Sequence, residues 1–211
     1  MIAIIDYKAG NLTSVKRAVD KLGYDNFITN DPDTVLKADR IIFPGVGAAP
    51  QAMDNLKKHG IDSILKKAAE AGKPVLGICL GTQIILAHSQ EGPIDCVGLF
   101  PGIVKKFPKD LKTDGQRLKI PHMGWNSVNF TKDHPVFKNV KNNSEFYFVH
   151  SYYPSPDQDK FIAGQTDYGI IFTSIIAHRN ILAFQFHPEK SGKTGLKLLD
   201  NFCRWDGHYA Q

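Results

Sequence analysis

Apolar residues in the first half of the chain follow two different spacings. Short apolar runs predict strands buried on both faces of a sheet, and the stretches between them place apolar residues at helical spacing. Because strands alternate with helices, we expect a mostly parallel central sheet with helices on both faces. Asn11 is expected to cap the first helix and Gly23 to end it. The predicted strands are residues 2–5, 40–43 and 74–78, and the predicted helices are residues 11–22, 48–58 and 61–71.

The second half has a different pattern. Its apolar segments are short, rich in aromatic and β-branched residues, and separated by turns, which predicts antiparallel hairpins beside the parallel strands. A last helix is expected over residues 194–203. Since no linker, low-complexity segment or internal repeat interrupts the chain, we expect one domain over residues 1–211. The predicted strands of this half are residues 97–107, 127–130, 145–149, 161–165, 170–176 and 181–186.

Composition narrows the class of protein. Hydrophobic residues make up 42% and charged residues 22% of the 211 residues, which is ordinary for a soluble globular protein and excludes a disordered chain. No apolar run approaches the roughly 20 residues that span a bilayer, so no membrane partner is expected. The apolar start ends at Asp6 with no basic region before it, and we expect a buried strand there rather than a signal peptide.

Charge and cysteine content bear on partners and compartment. The formal net charge of +5 fits lysines scattered over a solvated surface, or else docking to an acidic partner or an anionic ligand. No dense run of Lys and Arg with interleaved aromatic residues occurs, so nucleic-acid binding is not expected. The three cysteines include no CxxC pair, which predicts neither a disulfide framework nor a metal site. A reducing, cytoplasmic location fits best.

The strongest local signal for chemistry is Gly77-Ile78-Cys79-Leu80-Gly81, which follows a predicted strand. It is the cysteine form of the nucleophile elbow, a sharp strand-to-helix turn that needs small residues on both flanks. Such a turn presents Cys79 at a helix N-terminus, where the helix dipole stabilises a negative sulfur, and directs the N–H of Leu80 at an oxyanion. The alternative is a buried structural cysteine, which is the role expected for Cys96 and Cys203.

A cysteine nucleophile needs a proton carrier that a third group holds in place. His187 and Glu189 offer both, because residues i and i+2 of an extended segment face the same side, and Pro188 between them stiffens the backbone. A lone histidine at a strand end is more often structural, but the pairing with Glu189 and with the elbow favours catalysis. The chain order, with the nucleophile first, matches α/β-hydrolase-like sheets.

A second glycine-rich turn, Pro44-Gly45-Val46-Gly47, follows another predicted strand. Its glycines can direct backbone N–H groups at a substrate oxygen and so complement Leu80; the alternative is a plain strand-to-helix turn. Ser191-Gly192-Lys193-Thr194 has the ending of a phosphate-binding loop. That pattern requires glycine where this chain has His187, so no nucleotide site is expected there.

These motifs together resemble those of a known superfamily. PGVG at residues 44–47, GICLG at residues 77–81 and FHPEKSG at residues 186–192 resemble the class I (triad) glutamine amidotransferases, and the resemblance covers residues 1–203. Thr82 departs from the pattern, which often has methionine after the last glycine of the elbow. We expect that side chain to lie beneath the elbow and to change the mechanism little.

Two further motifs are more specific. IPHMGWN at residues 120–126 and YFVHSY at residues 147–152 are similar to those of the HisH family, the glutaminase subunits of imidazole glycerol phosphate synthase in histidine biosynthesis. The opening Asp6-Tyr7 and Gly10-Asn11-Leu12 agree with this resemblance. It implies a flavodoxin-like α/β fold with an added antiparallel portion, and a glutaminase that forms a glutamyl thioester without a metal or other cofactor.

The resemblance also assigns roles to individual residues. It implies Cys79 as nucleophile, His187 as general acid and base, Glu189 as its orienting group, Val46, Gly47 and Leu80 as the oxyanion hole, and Gly45, Gln83, Ser151 and Tyr152 as glutamine-binding residues. Family precedent puts a second set against a partner subunit: Pro121, His122, Met123, Gly124, Trp125, Asn126, Tyr147 and Lys190. For Trp125, the alternative is an aromatic residue of the core.

The implied partner is a (βα)8-barrel cyclase, called HisF in this family, which receives the ammonia and forms imidazole glycerol phosphate and aminoimidazole carboxamide ribonucleotide. The present chain has no (βα)8 repeat and is too short for one, so it is expected to be the ammonia-donating half. Gly45 and Gly47 leave the Val46 peptide free to rotate. We therefore expect this peptide to be misaligned until the partner, loaded with its nucleotide, docks.

Three alternatives stay open at this point. A stand-alone cysteine hydrolase, such as a peptidase on the same kind of sheet, would act without a partner. A non-catalytic scaffold would regulate a partner, although all three triad residues are present. A duplicate copy could serve another amidation, since the partner chooses the acceptor.

Overall fold

A computed structural model describes residues 1–8, 10–113 and 115–209 of the chain. Strands alternate with helices as far as Ile84, and strands predominate after it. Short 3-10 turns lie at Pro135–Phe137, Asp159–Phe161 and Pro188–Lys190. In chain order the elements are β1 (Ile2–Ile5), α1 (Leu12–Lys21), β2 (Asn26–Thr29), α2 (Pro32–Lys37), β3 (Arg40–Gly45), α3 (Ala49–Lys58), α4 (Ile61–Glu70), β4 (Val75–Cys79), α5 (Leu80–Ile84), β5 (Leu86–Ser89), β6 (Ile94–Asp95), β7 (Phe100–Lys106), β8 (Lys112–Thr113), β9 (Gln116–Arg117), β10 (His122–Phe130), β11 (Ser144–His150), β12 (Tyr152–Pro156), β13 (Ile162–Asp167), β14 (Ile171–His178), β15 (Ile181–Phe184) and α6 (Gly192–Arg204).

The central sheet is mixed. Within the described residues it has nine strands in the order β11-β10-β13-β14-β15-β4-β3-β1-β2. The strands from β15 to β2 are parallel, and those from β11 to β15 are antiparallel, so the α/β class with an antiparallel portion is confirmed. A smaller sheet, β12-β7-β5-β6, and the hairpin β8-β9 complete the topology.

Two apolar cores lie on opposite faces of the central sheet. Ile4 and Ile5 are both fully buried but belong to different cores, because successive residues of a strand point to opposite faces. Helices α1 and α6 cover the face of Ile4, with Val15 packed there, and α3 and α4 cover the other face. Among the described residues, no helix is long and apolar enough to cross a membrane.

Most predicted elements are present, with shifted ends. The helices predicted at residues 11–22, 48–58, 61–71 and 194–203 correspond to α1, α3, α4 and α6. The strand predicted at residues 97–107 is shorter, since β7 begins at Phe100. The strand predicted at residues 127–130 is longer, since β10 begins at His122. Several short elements, including β2 and α2, were not predicted, because four to six residues contain too little periodicity.

The two ends of α1 turned out differently from each other. Gly23 has φ +80° and follows the last helical turn, and its N–H donates to the Asp20 carbonyl, as expected for a residue that ends a helix. Asn11 precedes the helix, but its side chain makes no capping hydrogen bond, so that expectation is wrong. Its amide is instead directed toward the segment that follows β15.

The elbow between β4 and α5 has the crowding that its sequence predicted. Cys79 has φ 54° and ψ −105°, a conformation that side chains rarely adopt. A Cβ on Gly81 would lie 1.9 Å from the Phe43 carbonyl oxygen, and one on Gly77 would lie 3.1 Å from the Ala183 Cβ. Position 81 therefore has to be glycine for α5 to approach β3 this closely, and a side chain at position 77 would crowd β15. The helix that follows is short, only five residues.

We expect Gly81→Ala to destabilise the fold by roughly 3 kcal/mol or more, because the new methyl group meets backbone that cannot move aside. Gly98→Ala is the matched control. Gly98 has φ +72° and open space around its Cβ position, so only backbone strain of about 1 to 2 kcal/mol is expected. Urea denaturation measures both free energies of unfolding. Equal losses in the two variants would contradict the crowding at the elbow.

Candidate active site

A cavity of about 330 Å³ opens where β3 and β4 end. Ligands bind at this edge of parallel sheets because the strand ends and the following turns leave a crevice there. Eight of the predicted residues line the cavity, and three unpredicted ones, Glu91, Val149 and His150, join them. The predicted ones are Val46, Gly47, Cys79, Leu80, Gln83, Pro121, Ser151 and Tyr152.

Cys79 presents its sulfur at the wall of this cavity, with 5% of the residue exposed. The Sγ lies 3.9 Å from the Val149 carbonyl oxygen, which can accept a hydrogen bond from the thiol. The Gln185 side-chain amide donates to Sγ at 3.8 Å, and its oxygen accepts from Gln83 at 3.0 Å. The sulfur of Cys79 is therefore surrounded by polar groups that can stabilise either the thiol or the anion.

His187 and Glu189 form a pair with fully buried side chains. Nδ1 of His187 is 2.8 Å from Oε1 of Glu189. They meet for a different reason from the one the sequence suggested. The backbone is extended at His187, but Glu189 lies in the 3-10 turn Pro188–Lys190, which folds the carboxylate back toward the ring. The extended geometry expected for this segment is therefore wrong, although the two side chains are in contact.

The backbone of His187 is tied to the edge strand β11. Its N–H donates to the Tyr147 carbonyl at 2.9 Å, and its carbonyl accepts from the Ser191 hydroxyl at 2.6 Å. The N–H of Tyr147 in turn donates to the same hydroxyl oxygen at 2.9 Å. These three bonds fix the position from which the imidazole extends.

The protonation of His187 depends on its neighbours. Burial acts to lower the pKa of the imidazole, but the charge and polar contact of Cys79, followed by those of Glu189, raise the pKa from 6.5 to about 10. Nε2 makes no hydrogen bond of regular geometry with the described residues, whereas Nδ1 is held by Glu189. A buried imidazolium beside a sulfur and a carboxylate is an arrangement suited to proton transfer.

Of the residues expected to hold glutamine, three line the cavity and one does not. Gln83, Ser151 and Tyr152 line the cavity, and the Gln83 amide nitrogen is already bonded to the Tyr152 carbonyl at 2.8 Å. Gly45 does not belong to the lining that the structure describes. A Cβ there would lie 1.8 Å from the Tyr7 hydroxyl, so glycine is required for packing against that buried ring.

The residues expected at a partner interface differ in how exposed they are. Met123 and Trp125 are 61% and 54% exposed on one face of β10, which excludes a core role for Trp125. Trp125 pairs across strands with Tyr147, at a ring distance of 6.2 Å. Lys190 and Pro121 are exposed too, while Gly124, Asn126 and Tyr147 are half-buried.

His122 is the exception, because it is buried and points away from that face. It is 2% exposed, and Nδ1 lies 2.9 Å from Nε2 of His150. Nδ1 of His150 is 2.8 Å from the Tyr152 carbonyl oxygen. Burial lowers the pKa of His122 to about 4 and that of His150 to about 3, so both rings are neutral at physiological pH. Its burial argues against a direct side-chain contact with a partner, and its place at an interface stays a prediction.

Comparison with known proteins agrees with this geometry. Residues 3–205 match the family described as glutamine amidotransferase class-I. The chain is 50% identical over 206 residues to the imidazole glycerol phosphate synthase subunit HisH of Maridesulfovibrio salexigens, covering 97% of each chain. It is 48% identical over 208 residues to the HisH subunit of Aromatoleum aromaticum, covering 97% of this chain and 98% of the other. The chain belongs to the HisH family of class-I glutamine amidotransferases.

The fold is shared more widely than the sequence. The solved structure of PurLQS from Thermotoga maritima superposes with a TM-score of 0.72 at 17% identity, and the match covers 96% of this chain and 97% of the other. At that identity the likeness concerns the fold alone. As a member of the HisH family, the chain is an enzyme subunit, and the resemblance seen in its motifs is confirmed.

Three features of this HisH-family site were not found in the sequence. Gln185 occurs in an apolar strand end, FQF, and such a polar residue among aromatic ones could have been noticed. Glu91 brings a carboxylate to the cavity, and it is held by the Ala49 N–H at 2.8 Å. The third is the amide of Asn11, which touches Glu189. Among the described residues, no group of three or more His, Cys, Asp or Glu side chains could hold a metal ion.

The pKa of His187 gives a direct test of its pairing with Cys79. Because the pKa is about 10, the ring stays protonated at neutral pH and loses its proton only as the pH rises through about 10. Cys79→Ala removes the largest of the causes that raise this pKa, so the titration should move to lower pH. NMR of histidine-labelled protein measures it. Cys96→Ala is the control that should leave His187 unchanged, and an unchanged titration in Cys79→Ala would contradict the pairing.

Proposed function

We propose that this chain is the glutaminase subunit of an imidazole glycerol phosphate synthase. It hydrolyses L-glutamine through a glutamyl thioester on Cys79 and passes the ammonia to a HisF-type (βα)8-barrel cyclase. The observation that carries the proposal is the arrangement of three groups: the Cys79 sulfur lines the cavity, the imidazole of His187 is buried within electrostatic reach of that sulfur, and the Glu189 carboxylate holds the other side of the ring. The membership of the HisH family supports it independently.

The first half of the reaction forms the thioester. The Cys79 sulfur attacks the side-chain amide carbon of glutamine, and the carbonyl oxygen becomes an oxyanion. Leu80 begins α5, so its N–H has no acceptor within the helix and can face that oxygen, and the turn of Val46 and Gly47 lines the same cavity. His187 gives a proton to the amide nitrogen, the C–N bond breaks, and ammonia leaves.

The second half regenerates the enzyme. Water attacks the thioester carbonyl, and His187 takes a proton from it. The C–S bond then breaks, glutamate leaves, and the sulfur returns to its starting state. Glu189 holds the ring through Nδ1 in both halves, so the same Nε2 donates and then accepts. Glutamine and water are consumed, and glutamate and ammonia are formed.

The exposed face of Met123 and Trp125 supports docking of the barrel cyclase. Large apolar side chains exposed side by side are typical of interaction sites. Pro121 precedes them on the chain and lines the cavity, so this face borders the place where ammonia is released. A partner seated here would cover the exit and protect ammonia from protonation in bulk water. The cyclase would then add it to its phosphoribulosyl-formimino aminoimidazole carboxamide ribonucleotide.

The compartment that suits this chemistry is the cytoplasm. Cys79, Cys96 and Cys203 are all free. Burial raises the pKa of the Cys96 thiol to about 11 and that of the Cys203 thiol to about 12, so both stay protonated and unreactive. We propose that only Cys79 reacts as a nucleophile. Iodoacetamide treatment followed by mass spectrometry tests this. Alkylation of Cys96 or Cys203 before Cys79 would contradict it.

The test of function measures glutamate release by the chain alone, with a HisF-type cyclase, and with cyclase plus nucleotide. We expect low activity from the chain alone and strong activation in the full mixture, because the Val46 peptide is proposed to align only on docking. Equal rates of glutamate release in the three mixtures would contradict this alignment on docking and favour the stand-alone hydrolase. Cys79→Ala in the full mixture should lose glutaminase activity while the complex still forms.

Trp125→Ala tests the docking face. We expect the dissociation constant of the complex to rise at least about 30-fold, the effect of losing an interface hot spot of about 2 kcal/mol. Unfolding temperature should change little, because the side chain is more than half exposed. Isothermal titration with the cyclase measures the constant.

Ile28→Ala provides the matched control for Trp125→Ala. Ile28 is a large exposed apolar residue on β2, at the opposite edge of the central sheet from β11. Its removal should leave the dissociation constant unchanged. A Trp125→Ala variant that binds the cyclase as tightly as the Ile28→Ala variant would show that docking uses another surface.

A further inference from the structure

Asn11 contacts the triad from outside the substrate cavity. Its side-chain nitrogen donates to Oε1 of Glu189 at 2.6 Å and lies 3.4 Å from Nδ1 of His187. Because a carboxylate can only accept, the amide must present its NH2 group to Glu189. The cavity lining that the structure describes does not include Asn11. One neutral side chain therefore touches both His187 and Glu189, the two groups that act behind Cys79.

The Glu189 carboxylate has few other donors. Oε1 accepts from Nδ1 of His187 at 2.8 Å, and Oε2 has no hydrogen-bond partner within the described residues. Its side chain is fully buried. A buried carboxylate keeps its charge and its orientation only where donors replace water. Asn11 supplies such a donor and, unlike His187, keeps the same protonation state throughout the reaction.

The backbone of Asn11 shows that this side chain is used for Glu189 rather than for its own helix. Asn11 has φ 61° and ψ 4°, the left-handed conformation that asparagine and glycine adopt at least cost. Asparagine is among the best helix-capping residues, yet α1 begins at Leu12 without a side-chain cap. The amide is committed instead to a carboxylate 178 positions further along the chain.

We propose that Asn11 is a positioning residue of the glutaminase reaction, a fourth member that fixes the Glu189 carboxylate and, through it, the ring of His187. The inference rests on the proposed function, in which His187 transfers protons. Between giving a proton to the leaving nitrogen and taking one from water, the ring must not rotate. A carboxylate held on a second side by Asn11 prevents that rotation.

The test compares Asn11→Gly and Asn11→Asp with the wild type in the full mixture of chain, cyclase and nucleotide. Both replacements tolerate the left-handed backbone, but glycine removes the donor, and aspartate places a second carboxylate against Glu189. We expect kcat to fall roughly 10- to 100-fold in Asn11→Gly, as for a lost hydrogen bond to a charged group, and further in Asn11→Asp. The KM for glutamine should change less than about twofold, because the substrate site is untouched.

Asn139→Gly is the matched control. Asn139 also has φ 61°, and it is exposed in a turn outside the site, so the same substitution there should leave kcat unchanged. A kcat within twofold of wild type in Asn11→Gly, with the wild type active and Cys79→Ala inactive in the same assay, would overturn the proposal for Asn11 and leave the proposed function standing. Without wild-type activity, it is the proposed function that fails.

A second measurement does not depend on turnover. The Nδ1 proton of His187, hydrogen-bonded to a buried carboxylate, should give a strongly deshielded, slowly exchanging proton NMR resonance in the wild type. We expect it to move upfield or broaden in Asn11→Gly and in Asn11→Asp, and to stay in place in Asn139→Gly. If Asn11→Gly does not fold, the test uses Asn11→Asp, because aspartate keeps the shape of the side chain. An unchanged resonance in a folded Asn11 variant would overturn the proposal.

Discussion

The charge of Glu189, fully enclosed by protein, is the constraint around which the site is organised. A carboxylate without water must be surrounded by donors or lose its charge. Here one oxygen accepts from both His187 and Asn11. After the charge and polar contact of Cys79, the contact with Glu189 is the next cause that raises the pKa of a ring that burial alone would keep neutral to about 10. It also links three distant parts of the chain: the start of α1, the end of β4 and the turn after β15.

The edge strand β11 is hydrogen-bonded to the same part of the site. The backbone of Tyr147 holds His187 and Ser191 by hydrogen bonds, while its side chain faces Trp125 on the outside of the sheet. A partner that presses on this pair of aromatic residues acts on the strand to which the backbone of His187 is hydrogen-bonded. Behind it, the neutral pair His122 and His150 joins β10 to the Tyr152 carbonyl and so to the wall of the cavity.

The sequence was most informative where a structure depends on the sizes and spacing of neighbouring residues. The glycines around Cys79 predicted the elbow because a Cβ on Gly81 would collide with the backbone of β3 and one on Gly77 would crowd β15. Apolar periodicity located α1, α3, α4 and α6. The pattern failed in β10, where apolar Met123 and Trp125 face outward and polar His122 faces inward, the reverse of an ordinary strand. It also could not reveal that Asn11 reaches Glu189, because that contact depends on how two ends of the chain meet in the fold.

The order β15-β4-β3 has a different consequence for the nucleophile and for the base. The three neighbouring strands lead, in turn, to the base, the sulfur and the glycine turn, with Gly45 directly beside Cys79 in register. Phe184 of β15 is paired with Ile78, the residue before Cys79, and His187 lies beyond the end of β15. The imidazole is therefore placed by a turn rather than by the sheet ladder, and that turn is held by the hydrogen bonds of its backbone to β11 and to Ser191. Loosening β11 would displace the imidazole while the strands beneath the sulfur stayed in place.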